Sequence, residues 1–323
     1  MGARTRLARA YYDLSVMLDA GVPVLRSLDI VVDGRQGYFK RVFRQIRESL
    51  AKGTGLAESM SKHRVFPDLD RMLIEAAETS GSLGESFKML SEWHEFIHRI
   101  TRRMMMAMVY PVFLLHFAAL VFRLPHLALG RVTVAGYLQG VLGILMFLYI
   151  PAITVIAFVL LRDRAPLLRL PLDWIVLKIP VLGQAVYHLS ICRYAKAFAM
   201  MYKAGVPIAE ATRRATQATG NVIVAARFAG GEEAVRKGGA AWEGFSKRLP
   251  AEYRHLWQIG EETGELDKTA AKVGEIAGDR ADLYFKAFAS GFPKVVYVAI
   301  VIVVGIIVVT IASQYYGNLY NAF

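Results

Sequence analysis

Apolar residues recur with a helical period through most of the chain. Leu7, Tyr11, Leu14 and Leu18 stand three or four positions apart, and so do Ile191, Ala195, Phe198 and Tyr202. Gly21 and Gly205 are placed to end these two helices, and Pro23 and Pro207 to start the next. Gly53 and Gly238 follow Lys-bearing helix ends, where a left-handed cap belongs. Further helices fit at about 37–52, 56–62, 67–80 and 83–101. No alternating strand pattern competes, so the predicted fold class is all-α.

Three long apolar runs interrupt this amphipathic pattern. Met104–Phe122 carries no charge, Tyr137–Leu161 carries none but contains Pro151, and Val295–Ala312 is the most apolar. Each is about long enough to span a bilayer. The Val/Ile richness of the last would suggest a strand in water, but a lone span must be helical to satisfy its backbone. Lys and Arg at the flanks set the orientation. Arg99, Arg102 and Arg103 precede the first run, Arg162, Arg164 and Arg169 follow the second, and Lys286 and Lys294 precede the third. The loop between the first two runs holds Arg123 and Arg131, and the tail SQYYGNLYNAF has no charged side chain. The expected layout is a cytoplasmic domain at 1–103, a span at 104–123, a periplasmic loop at 124–136, a span at 137–161, a second cytoplasmic domain at 162–290, a span at 291–313 and a periplasmic tail at 314–323. The N-terminus is then cytoplasmic and the C-terminus periplasmic.

The two polar blocks repeat each other. MLDAGVPVLRSL at 17–28 matches MYKAGVPIAEAT at 201–212, AKGTGLAESMSK at 51–62 matches RKGGAAWEGFSK at 236–247, and AETSGSL at 77–83 matches GEETGEL at 260–266. Tyr110-Pro111 finds Phe292-Pro293. The offset stays between 182 and 185, the mark of an internal duplication. Each copy is expected to form a bundle of about six helices, with the second span inserted between the copies.

Composition agrees with a membrane class. The 323 residues are 55% hydrophobic, and the mean hydropathy is +0.35. A net charge of +12 fits cytoplasmic Lys and Arg beside lipid headgroups, and nucleic acid is not an expected partner. The one cysteine, Cys192, cannot form an internal disulfide. MGARTRLARAYYDLS is basic without a long apolar core, so no cleaved signal peptide is expected.

The paired AGVP elements, the E-T-x-G-x-L element, the YP or FP entering a span, and the order of three spans resemble the type II secretion F family, the inner-membrane platform proteins of type II secretion and type IV pilus assembly. IPVLGQAVYHLSICRYAKAFAMMYKAGVPI at 179–208 is similar to the family's entry into its second cytoplasmic domain. Many members carry an additional segment before the first AGVP helix. The shorter form here resembles type IVb pilus members more closely. The resemblance implies a platform in the bacterial inner membrane that couples a hexameric cytoplasmic ATPase to extraction of pilin or pseudopilin. Other inner-membrane assembly proteins and further copies of the chain would be partners, no cofactor is implied, and the chain is not an enzyme.

Several residues invite sharper chemistry. His94-Glu95-Phe96-Ile97-His98 reads H-E-x-x-H, the helix-borne zinc-hydrolase pattern, and makes a membrane metalloprotease the rival function. A third ligand is wanting nearby, and the second copy has Ala277 and Ala281 at the two histidine positions. With Trp93, Phe96, Ile97 and Ile100 taken as the apolar face, His94, Glu95, His98 and Arg99 are expected on the wet side. KGTG at 52–55 and RKGG at 236–239 lack the full phosphate-loop pattern and read as helix caps. A transporter fits poorly, because the spans hold no acid or lysine.

Glu78 and Glu261 are retained near predicted helix C-termini, where the dipole opposes a carboxylate. Each therefore needs a partner: a basic side chain, or a surface of another chain, with a bridging cation a further option. Gly81, Glu262, Thr263 and Gly264 belong to the same elements. Tyr110-Pro111 and Phe292-Pro293 are candidate bends between the domains and the spans, or else simple interface packing.

Overall fold

The computed structural model describes residues 3–128, 130, 132–161 and 169–320. Every regular element among them is a helix. The first copy comprises α1 (Ala3–Asp19), α2 (Val24–Asp33), α3 (Gly37–Ala51), α4 (Leu56–Ser61), α5 (Asp68–Ser80) and the start of α6 (Leu83–Ala128). α7 is Val134–Leu161 and α8 is Arg169–Lys178. The second copy comprises α9 (Leu182–Lys203), α10 (Ile208–Ala218), α11 (Val222–Ala225), α12 (Gly230–Arg236), a 3-10 turn (Ala241–Gly244), α13 (Ala251–Thr263) and the start of α14 (Leu266–Tyr320).

The amphipathic stripes fold as their spacing dictates. α3 buries Phe39, Val42, Phe43 and Ile46, and α2 buries Leu28, Val31 and Val32. Where α3 is one helix of 15 residues, its counterpart in the second copy is broken into α11 and α12. Gly230 lies at the break, where an added Cβ would run into the Gly244 carbonyl. The sequence reading expected neither this break nor α8.

The chain divides into two compact units, residues 1–101 with 176–282, and residues 102–175 with 283–323. The two repeated blocks, read from the sequence as separate domains, thus share one unit and one continuous apolar core, from Leu7 and Phe87 through Phe198 and Trp257. The cause is an apolar face on α5 and α6 that packs on α9. That helix buries 14 of its 22 residues, far more than one stripe.

In the other unit, α7 runs unbroken across the second apolar stretch, and α6 and α14 continue through the first and third. Among the described residues, no helix is long and apolar enough to cross a membrane. Arg131, Arg162 and Arg164, used above for orientation, lie outside the described residues, as do the last three residues of the tail.

Candidate functional site

Both signature glutamates are bound within their own copy. The α5 helix ends at Gly81, whose φ of +74° suits glycine alone without strain, and α13 ends at Gly264 with φ +75°. These turns leave Glu78 and Glu261 beside the start of another helical segment. Glu78 Oε1 accepts the Leu56 N–H at 2.5 Å and its Oε2 the Ala57 N–H at 2.9 Å. Glu261 repeats this with the N–H groups of Ala241 and Trp242 at 2.8 and 2.9 Å. Within the chain, the partner of each glutamate is not a basic side chain. It is a pair of orphan backbone donors at a helical N-terminus, which also offers the favourable end of a dipole. Burial raises the Glu261 carboxyl above the ordinary glutamate value, while the two backbone N–H groups pull it down and Glu243 adds a smaller push upward.

The neighbouring candidates fall into the same local frames. Glu262 accepts from Gln258 at 2.7 Å, and the Thr263 hydroxyl donates to the Ile259 carbonyl at 2.7 Å. Gly21 and Gly205 have φ of +80° and +85° and follow α1 and α9. Pro23 and Pro207 stand at the N-caps of α2 and α10, one position before the helical turn. Tyr110 is exposed within α6, whose backbone continues through Pro111. Phe292 stacks on Phe288 at 5.3 Å, and α14 likewise continues through Pro293.

His94 is not on the wet side. It is 2% exposed, and its Nε2 lies 2.7 Å from Asp70 Oδ2. Tyr11 donates its hydroxyl to the same oxygen at 2.8 Å. Asp70 is wholly buried, and its other oxygen has no hydrogen-bond partner. The Tyr11 hydroxyl is raised well above its usual value, first by burial and then by the adjacent carboxylate. The misplacement has a geometric cause. α6 has two buried faces: Phe87, Leu90, His94 and Ile97 turn towards their own bundle, while Trp93 and Phe96 pack against the second copy. Taking Trp93, Phe96, Ile97 and Ile100 as a single core face put His94 in water. The lock was missed as well, although Asp70 stands on the apolar stripe with Phe66, Leu73 and Ile74.

The second copy holds a different lock. His188 Nδ1 lies 3.0 Å from the Tyr253 hydroxyl, and Tyr253 occupies the position equivalent to Asp70. Burial, aided by Arg280, pushes His188 down to about 4. Burial also pushes Tyr253 up to about 12. Neither lock presents an open ligand set, and no group of three metal-ligating side chains occurs among the described residues. The local geometry is suited to holding helices together.

The pattern describing "Type II secretion system (T2SS), protein F" matches residues 10–124 and 194–313, so it covers both copies. The chain is 26% identical over 294 residues to the type IV pilus assembly protein PilC of Pseudomonas aeruginosa, covering 83% of this chain and 78% of that one. It is 25% identical over 318 residues to PilC of Thermus thermophilus, covering 91% and 78%. With the type II secretion system protein F of Vibrio cholerae the identity is 23% over 298 residues, covering 83% and 71%. A duplicated helical bundle matched in both of its halves leaves one assignment: the chain belongs to the type II secretion system protein F family.

Proposed function

We propose that this chain is an inner-membrane platform of a type IV pilus or type II secretion machine, coupling a cytoplasmic assembly ATPase to extraction of pilin or pseudopilin from the membrane. The observation that carries this reading is the family match over both copies. Relatives named for pilus assembly and for secretion are found at similar identity, so the machine type stays open between the two. The role is non-enzymatic. His94, the first histidine of the hydrolase pattern, is engaged with Asp70 in the core. A deletion strain is expected to lose surface filaments or secretion while retaining pilin in its membrane. Complementation with the chain or with Glu95→Gln should restore output equally. Normal output in the deletion strain would overturn the platform role, and failure of Glu95→Gln at normal abundance would revive the hydrolase.

Sequence hydropathy supports three spans. The run Tyr137–Leu161 holds 25 residues without Asp, Glu, Lys or Arg, against the roughly 20 apolar residues a span needs. The orientation can be read by thiol labelling of whole cells with an impermeant reagent. Cys192 can stay in place, because it is buried and its thiol is pushed up to about 12 by that burial. Ser313→Cys is expected to label and Ser61→Cys to stay dark until the cells are opened. The reverse pattern would place the duplicated unit outside the cell and exclude a cytoplasmic motor.

A further inference from the structure

The two copies touch through different faces of the same fold. By the duplication, α9 and α10 correspond to α1 and α2, and α13 and α14 to α5 and α6. Inside the chain, the α5/α6 face of the first copy meets the α9/α10 face of the second. Glu85 pairs with Lys203 at 2.5 Å, Glu75 reaches Arg214 at 3.9 Å, and Lys196 lies 4.3 Å over the Phe96 ring. A contact between unlike faces is head-to-tail. It uses one face of each copy and leaves the α1/α2 face of the first and the α13/α14 face of the second exposed, with Lys268 and Glu275 of α14 lining the open groove beside Met89 and Trp93.

Those two end faces look like an interface awaiting its other half. Met200 is 8% exposed under the first copy, whereas its equivalent, Val16, is 49% exposed. Tyr12 is 57% exposed where its equivalent, Lys196, is covered by Phe96. Ala76 and Arg214 line one cleft at the internal contact, and their equivalents, Ile259 and Ile30, are isoleucines 49% and 51% exposed. The charges also match across the two ends. Glu85 and Lys203 are replaced by Lys268 and Asp19, the same pair with its signs exchanged. Phe96 and Lys196 are replaced by Asp279 and Tyr12, an acceptor and a hydroxyl donor.

We infer that copies of this chain associate head to tail, the α13/α14 face of one seating on the α1/α2 face of the next and repeating between chains the contact made within each. The inference rests on the duplicated faces and is independent of the platform role. The sign exchange gives this contact a charge pair of its own, although Lys268 also pairs with Glu265 at 2.6 Å and lines the groove that holds Lys203, and Asp19 lies against Gly84.

Two differently tagged full-length copies are co-expressed, one with Val16→Cys and the other with Lys272→Cys, the exposed equivalent of Met89. A short bifunctional thiol cross-linker is expected to join the two tags. Adding Asp19→Lys to the first copy should lower the yield about fivefold at unchanged abundance, equivalent to about 1 kcal/mol, and adding Lys268→Asp to the second should restore it. Three results would overturn the inference: Val16→Cys joining only to itself, no product at normal abundance of both copies, or a yield indifferent to both charge reversals.

Discussion

Replacing Asp70 with alanine is expected to destabilise the duplicated unit by about 3–5 kcal/mol, the usual result of stripping one member from a buried charged or hydrogen-bonded cluster. Two groups lose their acceptor at once: the Tyr11 hydroxyl and the His94 ring, both buried and both directed at Asp70 Oδ2. A lost side chain at a fully buried site also leaves a cavity. In a unit of this size the apparent melting point of the detergent-purified chain should fall by about 10 °C. Tyr11→Phe in the same chain should return part of the loss, because one stranded donor is then removed. A shift of only a degree or two for Asp70→Ala would show that the lock contributes little. So would a double variant no more stable than the single.

Glu261→Ala is expected to cost about 2 kcal/mol, at the upper end for a helix cap, because one side chain serves two backbone donors in a half-buried setting. Glu78→Ala should cost less, since Glu78 is exposed and water can replace the carboxylate. The pH behaviour of Glu261 follows from its burial. The folded-state value of Glu261 is raised, so between the ordinary glutamate value and the raised one the folded chain holds a proton that the unfolded chain has lost. Its contribution is therefore greatest at low pH and declines as pH rises through the raised value. Glu261→Gln, which carries no charge and keeps one acceptor, should flatten that decline and be milder than alanine at neutral pH. Membrane abundance and apparent melting point at pH 5 and pH 8 would measure this. Variants as abundant and as stable as the parent at both pH values would return the glutamates to the role of contact residues between chains.

Much of the helical layout was legible because local chemistry marks its ends. Gly53, Gly81 and the AGVP turns bracket α2 to α5 almost to the residue. The duplication was legible for the same reason, since the turns were kept while the faces drifted. What the sequence hid depends on non-local packing. No period can tell that Trp93 and Phe96 face another copy while His94 faces its own bundle. Nor can it tell that a carboxylate at the end of α5 lies against the start of α4. The dipole argument did show that Glu78 and Glu261 need partners; only the fold supplied donors on the backbone.

The unlike locks at equivalent positions bear on the history of the gene. Recombination between its two duplicated halves would move Asp70 into the setting of Tyr253, where the facing group is His188, or move Tyr253 between Tyr11 and His94. Either exchange strands polar groups in a closed core, at a cost of about 3–5 kcal/mol. Such gene conversion would be purged, so each half is free to diverge further. The unlike contacts at equivalent positions thus set a stability cost on any exchange between the two halves.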